Sequence, residues 1–403
     1  MATLPKPDRA GHLARLAGPL RQAEEAGCAG LVLVDSLNQY WASGYNVDRD
    51  ASGWERPCAL IVPLSGEPVF VLNEICEPHA KLAIDLGWCW VTDLRFYVER
   101  PRPEAEAVTI QEWGSLMRDA LRDRALDGAR LACDSPAFCR HWLGDQASAV
   151  DLVDASGWVR AARMVKDEAE LVTLRRACEL TDGAMAEFAT LIRPGEVAME
   201  VAWEVQKNLF TAAARAFPDA RVEGKVLAST GLDTACVNAP YGFAGRRFAA
   251  GDSVITIVIL SLNGYAAENE RTFFVAECPP AKRPYFETAV AAQAAGRAAA
   301  VAGNAIRDID RAAQAVIDAA GMGAFSRHRT GHGIGLSGHE PPGDMAFNTN
   351  PLESGMTFTV EPGIYVPGVG GFRHSDTVLI DTEPVSLTAV GRGLEACVLP
   401  TWS

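Results

Sequence analysis

Long apolar runs are missing from this chain. The longest uncharged stretch, Ser253 to Leu262, covers about ten residues, half of the ~20 that a membrane-spanning helix needs. No transmembrane segment is expected, and the run reads as a buried strand. Positive charge is also scarce. With 37 lysines and arginines against 51 aspartates and glutamates, the net charge is −14, a field that repels phosphate backbones and anionic lipid surfaces. Nucleic acid and membrane are therefore excluded as expected partners. The ten cysteines include no CxxC pair, so they read as reduced, small core residues rather than as a disulfide framework. The N-terminus spreads Lys6, Arg9 and Arg15 through a stretch with no apolar core, which is not a secretory pattern, and a cytoplasmic location is expected.

What remains is globular material, 48% hydrophobic and 22% charged, that can bury a core. A chain of 403 residues exceeds the ~250–300 that one core supports, which points to two domains. Residues 10–30 carry apolar positions at helical spacing and lead into the β-rich LVLVDS. CALIVPLSGEPVFVLN looks like a hairpin around Ser65-Gly66-Glu67-Pro68. WVTDLRFYV, a helix around EAVTIQEWGSLMRDALRD, RLACD and a helix near PAFCRHWLGDQ continue the alternation. Residues 1–160 are thus expected to form an α/β domain.

From Lys166 the texture changes. KDEAELVTLRRACELTDGAMAEFATLI is a long helical pattern with an acidic first turn and a stop at Pro194-Gly195. A second helix, strands over about 222–278, two more helices and further strands follow. The halves share a local signature at an offset of 108 residues: Gly195 with Glu200, and Gly303 with Asp308. A pseudo-twofold α+β domain over 161–403, with its cleft between the halves, is the expected architecture.

Chemistry-bearing residues concentrate in that second half. Gly331-His332-Gly333-Ile334-Gly335 sets an imidazole on backbone thinned by glycine, where a ligand or another chain segment can approach closely. Gly338-His339-Glu340 supplies a second imidazole. Glu361 ends the strand-like TFTV before a Pro-Gly turn, where it is either a site carboxylate or a solvated strand end. Glu268 and Glu270, two apart in GYAAENERTFF, share one face of a strand, while Arg271 faces away. Like charges that close suit acid/base work or cation binding, with a solvated edge strand as the bland alternative.

GHGIGLSGHEPP, TVEPGIY, GYAAENERTFF and GGFRHSDTVLI, in this order after the KDEAELVTLRRA helix, resemble the creatinase, aminopeptidase P and prolidase superfamily. The resemblance covers residues 165–403, and more weakly 1–160, and implies a pita-bread catalytic domain behind a smaller N-terminal domain. The metallopeptidases of that superfamily hold two metal ions on two aspartates, a histidine and two glutamates. Carried over, these fall on Ile257, Glu268, His332, Glu361 and Ser375. With an isoleucine and a serine at two positions, the resemblance implies no dinuclear site. It favours the metal-free branch of creatinase and ectoine hydrolase, with no metal and no cofactor. That branch's catalytic glutamates match Glu270 and Glu361, and its carboxylate-binding arginine and nearby aromatic match Arg56 and Trp54, which in a homodimer would reach the partner's active site. Creatinase's proton-carrying histidine falls on Asn238, and its second substrate-binding arginine on His339. The proton role then passes to His332, His339 or His374, with His332 first. Arg373, Glu268, Asn238 and His374 complete the candidate substrate-binding set.

The expected activity is a metal-independent hydrolase of a non-peptide C–N bond in a small carboxylate-bearing molecule. Alternatives are a lyase on the same scaffold, a metal-dependent Xaa-Pro-type exopeptidase using a reduced site of Glu268, His332 and Glu361, and a catalytically inactive binding protein.

Overall fold

The alternating signals of the first part become a six-stranded sheet. In the computed structural model, which describes residues 3–46, 55–101, 107–237 and 245–400, the strands are β1 (Gly30–Leu33), β2 (Ala59–Pro63), β3 (Val69–Asn73), β4 (Leu94–Tyr97), β5 (Arg130–Cys133) and β6 (Asp151–Asp154). Their order is β4-β3-β2-β1-β5-β6. The expected hairpin is β2 against β3, antiparallel with Ala59 opposite Val71, while β1 and β5 run parallel. Strands β1, β2 and β3 are buried at every position, as continuous Val/Ile/Leu runs should be in a sheet covered on both faces. The chain divides at Arg163/Met164 into this unit, Lys6–Arg163, and a second that runs from Met164 to the end and takes in Met1–Pro5.

The second unit opens with the helix Glu168–Leu191. Asp167 accepts from the Glu170 amide while Glu170 accepts from the Asp167 amide, a reciprocal cap that uses two otherwise unpaired N–H groups. Leu174, Ala177, Cys178, Thr181, Ala184, Met185 and Phe188 form its buried stripe against the sheet. The strands here are β7 (Val222–Thr230), β8 (Ser253–Leu262), β9 (Tyr265–Val275), β10 (Thr357–Val360), β11 (Gly363–Val366), β12 (Gly370–Arg373) and β13 (Ser375–Leu379). The main sheet runs β10-β13-β9-β8-β7, and β11 pairs with β12.

The 108-residue signature is structural. Gly195 and Gly303 adopt φ of 91° and 93°, a left-handed conformation suited to glycine. Val197 and Ala305, 108 apart, each make an isolated antiparallel bridge just before a helix, Ala198–Ala216 and Ile306–Ala319. Each half is thus a helix pair laid on strands, the pita-bread arrangement.

All ten cysteines are free thiols; eight are buried and only Cys236 is exposed. Among the described residues no helix is long and apolar enough to cross a membrane.

Candidate active site

Strand β9 sets the centre. All eleven of its residues are buried, so its alternation divides charges between two dry compartments rather than between core and solvent. Arg271 goes to one side, where its guanidinium donates to Asp376 at 2.8 Å and to the carbonyls of Glu270, Ser375, Val390 and Gly391. Glu268 and Glu270 go to the other, at 3% and 2% exposure.

The glycines around His332 admit another chain segment rather than a ligand. A Cβ on Gly331 would lie 1.9 Å from the Thr359 carbonyl oxygen of β10, and one on Gly333 2.3 Å from that of Pro341. The close approach lets the His332 amide bond Thr359 Oγ1 and the Thr359 amide bond the His332 carbonyl. His332 Nδ1 lies 2.9 Å from the Gly333 carbonyl, which can only accept, so Nδ1 carries a proton and Nε2 faces the cluster. Nε2 is 3.2 Å from Glu361 Oε1 but lacks the alignment of a hydrogen bond.

Three carboxylates meet there. Glu268, Glu270 and Glu361 each offer an oxygen within 4.8 Å of the others, and Glu268, His332 and His339 form a second such group. Ser375 Oγ donates to Glu268 Oε1 at 3.0 Å. Arg373 grips Glu270 through Nη2–Oε1 at 2.7 Å and Nε–Oε2 at 2.5 Å. His339 stacks on His332 with ring centroids 3.7 Å apart and is the exposed member of the set.

The electrostatics follow. Burial, with Arg373 opposing and Glu268 and Glu361 adding repulsion, pushes the Glu270 carboxyl up to about 8. Burial likewise raises Glu268, next to Glu361. Burial alone would raise Glu361 too, but His332 and Arg373 outweigh it and bring it down to about 2. For His332 burial acts downward and is overcome by Glu361 and Glu268, which lift the imidazole to about 9. Such anions crowded around an imidazole favour whatever positive charge can enter.

Two residues passed over in the sequence complete the wall. His328 Nδ1 donates to the Arg329 carbonyl at 2.7 Å, so its Nε2 accepts from the Tyr365 hydroxyl at 2.8 Å, which in turn accepts from Arg373 Nη1 at 3.2 Å. Burial lowers the His328 imidazole, and the chain fixes Arg373 against Glu270. The available signals were a histidine four residues before His332 and the tyrosine of TVEPGIY. Glu340, by contrast, pairs with buried Lys166 at 3.3 Å.

The other candidates lie apart. His374 alternates to the Arg271 side, edge-on to Phe286 at 5.1 Å, with no partner for either ring nitrogen; burial and Arg271 lower it to about 3. It does not join the carboxylates. Arg56, in the first unit, is paired with Glu99. Trp54 and Asn238 fall outside the described residues.

This fold and this cluster define a class. Residues 172–382, more than half of the chain, match the family described as "Metallopeptidase family M24", and residues 15–165 match the creatinase/prolidase N-terminal domain. The protein belongs to the M24 family. Among curated relatives, "Putative dipeptidase YkvY" of Bacillus subtilis is 27% identical over 92% of this chain and 96% of its own length. "Probable dipeptidase PepE" of Mycobacterium tuberculosis is 29% identical over 96% of each. The crystal structure of dipeptidase PepE from Mycobacterium ulcerans superposes with a TM-score of 0.80 at 29% identity, over 98% of this chain and all of that one.

These findings overturn three linked expectations: the creatinase-like branch, independence of metal, and a non-peptide C–N bond as the target. The superfamily and its fold stand, but the relatives are named dipeptidases and the family is one of metallopeptidases. The physical error lay in treating two lost ligand positions as loss of the centre, when Glu268 still lies within 4.8 Å of donor atoms of His332 and His339 on one side and of Glu270 and Glu361 on the other.

Proposed function

We propose that this protein hydrolyses the peptide bond of a dipeptide-sized substrate with the help of a divalent cation held by Glu268, His332 and Glu361. The observation that carries this is the convergence of buried carboxylates beside an imidazole whose Nε2 has no hydrogen bond. The donor chemistry fits a borderline or hard cation, since oxygen and imidazole ligands suit manganese, zinc or cobalt. Such a cation polarises a carbonyl and acidifies water.

The protein's own groups then have separable tasks. His332, its Nδ1 proton held by the Gly333 carbonyl, turns Nε2 to the cluster, where a bound cation would take the place of the Nε2 proton. Glu361 accepts the proton of the attacking water and returns it to the leaving amine, within reach of a cluster that keeps it ionised. His339, at the open side, donates to the substrate, whose charge at one end it can steady. Arg373 and Tyr365 hold Glu270 in place. We also propose a homodimer in which Arg56, with Trp54, serves the partner's site. Its side chain keeps 30% exposure beside Glu99, so binding a substrate carboxylate would mean exchanging one carboxylate for another.

Incubation with a dipeptide panel and manganese, followed by mass spectrometry, tests the activity. Release of two free amino acids, abolished by chelator and by Glu361→Gln, is expected. Turnover of dipeptides unaffected by chelator, or cleavage of none, would refute the reading. For the dimer, mixing Arg56→Ala with Glu361→Ala chains should restore part of the activity, and verified hybrids without recovery would count against it.

A further inference from the structure

We propose that the centre takes one divalent cation per chain, and that the second positive charge beside Glu270 is the guanidinium of Arg373. The inference rests on the peptidase reading above and concerns how the cluster's charge is balanced.

The register of β9 carries the argument. Glu270 sits directly between Ile257 on β8 and Ser375 on β13, and directly opposed residues place their side chains on the same face. Neither neighbour offers an anionic oxygen, so nothing across the sheet pairs with Glu270 to cage an ion. Arg373 lies against both of its oxygens, donating from Nη2 to Oε1 at 2.7 Å and bringing Nε to 2.5 Å from Oε2 as an ion pair. That guanidinium is 8% exposed and is itself held by the Tyr365 hydroxyl. A guanidinium cannot give up its proton, and its planar fork matches a carboxylate with both nitrogens. It is therefore a permanent cation in the wall, and a second metal ion next to Glu270 would meet it at close range.

Away from Arg373, Glu268, His332 and His339 each offer an atom within 4.8 Å of the others. Ser375 takes only one oxygen of Glu268, leaving the other. Glu361 lies against His332, and His332 Nε2, on a residue 1% exposed, has no hydrogen bond. His339 stacks beside it. One carboxylate and two imidazoles, with Glu361 beside His332, satisfy one ion.

Equilibrium dialysis of the full chain against Mn(II), with metal content per folded chain and the electron paramagnetic resonance spectrum as readouts, decides the matter. One ion per chain with the six-line signal of isolated Mn(II) is expected. Glu268→Gln should lose that ion, and Glu270→Gln should keep it. Two ions per wild-type chain with an exchange-coupled signal, or loss of the ion in a Glu270→Gln chain whose circular dichroism is unchanged, would overturn the inference while leaving the peptidase reading standing. No ion on folded wild-type protein at millimolar Mn(II) would overturn both.

Discussion

Replacing Asp376 by Asn should unfold the catalytic unit at a much lower temperature, although Asp376 touches no substrate. Its carboxylate is fully buried. It accepts from Arg271 Nη2 at 2.8 Å, Arg392 Nε at 2.6 Å, Thr388 Oγ1 at 2.7 Å and the Gln293 amide, with Arg297 a further cation at 3.9 Å. Asn keeps the volume but offers one acceptor oxygen and turns an N–H₂ group toward donors. Three guanidinium groups then lose the anion they share. Breaking a buried ionic network by removing one partner costs about 3–5 kcal/mol. For a unit of this size that lowers Tm by roughly 6–20 °C. Burial by itself would raise the pKa of Asp376, but Arg271 and Arg392 hold it well below the ordinary carboxylate range. The stabilisation is thus complete above about pH 4 and is lost as the pH falls toward the folded-state value. Differential scanning calorimetry should show the gap between wild type and variant narrowing in acid. Asp381→Asn, at an exposed site, should change stability by less than ~0.5 kcal/mol. An Asp376→Asn loss under about 1 kcal/mol, or a gap that widens in acid, would refute the reasoning.

Three other outcomes follow from particular contacts. Burial pushes Asp134 up to about 6 despite amides from Val34 and Asp35; native protein therefore binds a proton that the unfolded chain has released, and stability should fall by up to ~3 kcal/mol as pH rises from about 4 to 6, a slope missing from Asp134→Asn in urea titrations. Gly331→Ala, which forces a Cβ onto the Thr359 carbonyl, should cost more than ~2 kcal/mol and reduce Mn(II) binding by displacing His332; a folded variant with wild-type affinity would show that the backbone yields there. His374→Phe should be neutral or stabilising in thermal melts and leave kcat intact, since it replaces a buried imidazole without partners by an apolar ring; a large kcat loss would restore His374 to the chemistry.

Much of the fold was legible because its signals are local. The hairpin of β2 and β3 announces itself by two apolar runs around Ser65-Gly66-Glu67-Pro68, and the Asp167/Glu170 cap by its acidic first turn. Gly195 and Gly303 marked the repeat because both need positive φ. The short strand β6 and the helix Glu77–Asp85 went unread, since their stability comes from packing on a sheet already formed rather than from their own periodicity.

The site was legible as a list of residues and illegible as a balance of charge. Alternation along β9 correctly parted Glu268 and Glu270 from Arg271, because that depends only on strand geometry. It could not say that a second arginine, Arg373 from β12, would return to Glu270 across 103 residues of sequence, nor that burial would lower the His328 imidazole beside Tyr365. Adjacent residues likewise parted company: Arg373 and His374 differ by one position, yet alternation sends one to the carboxylates and the other to Phe286. Whether a centre can hold a cation depends on how many donor atoms remain uncommitted after such long-range pairs have formed. Glu270 has a guanidinium against both of its oxygens, and His332 Nε2 has only a carboxylate it could exchange for a cation, a distinction that substitution of these residues one at a time can measure.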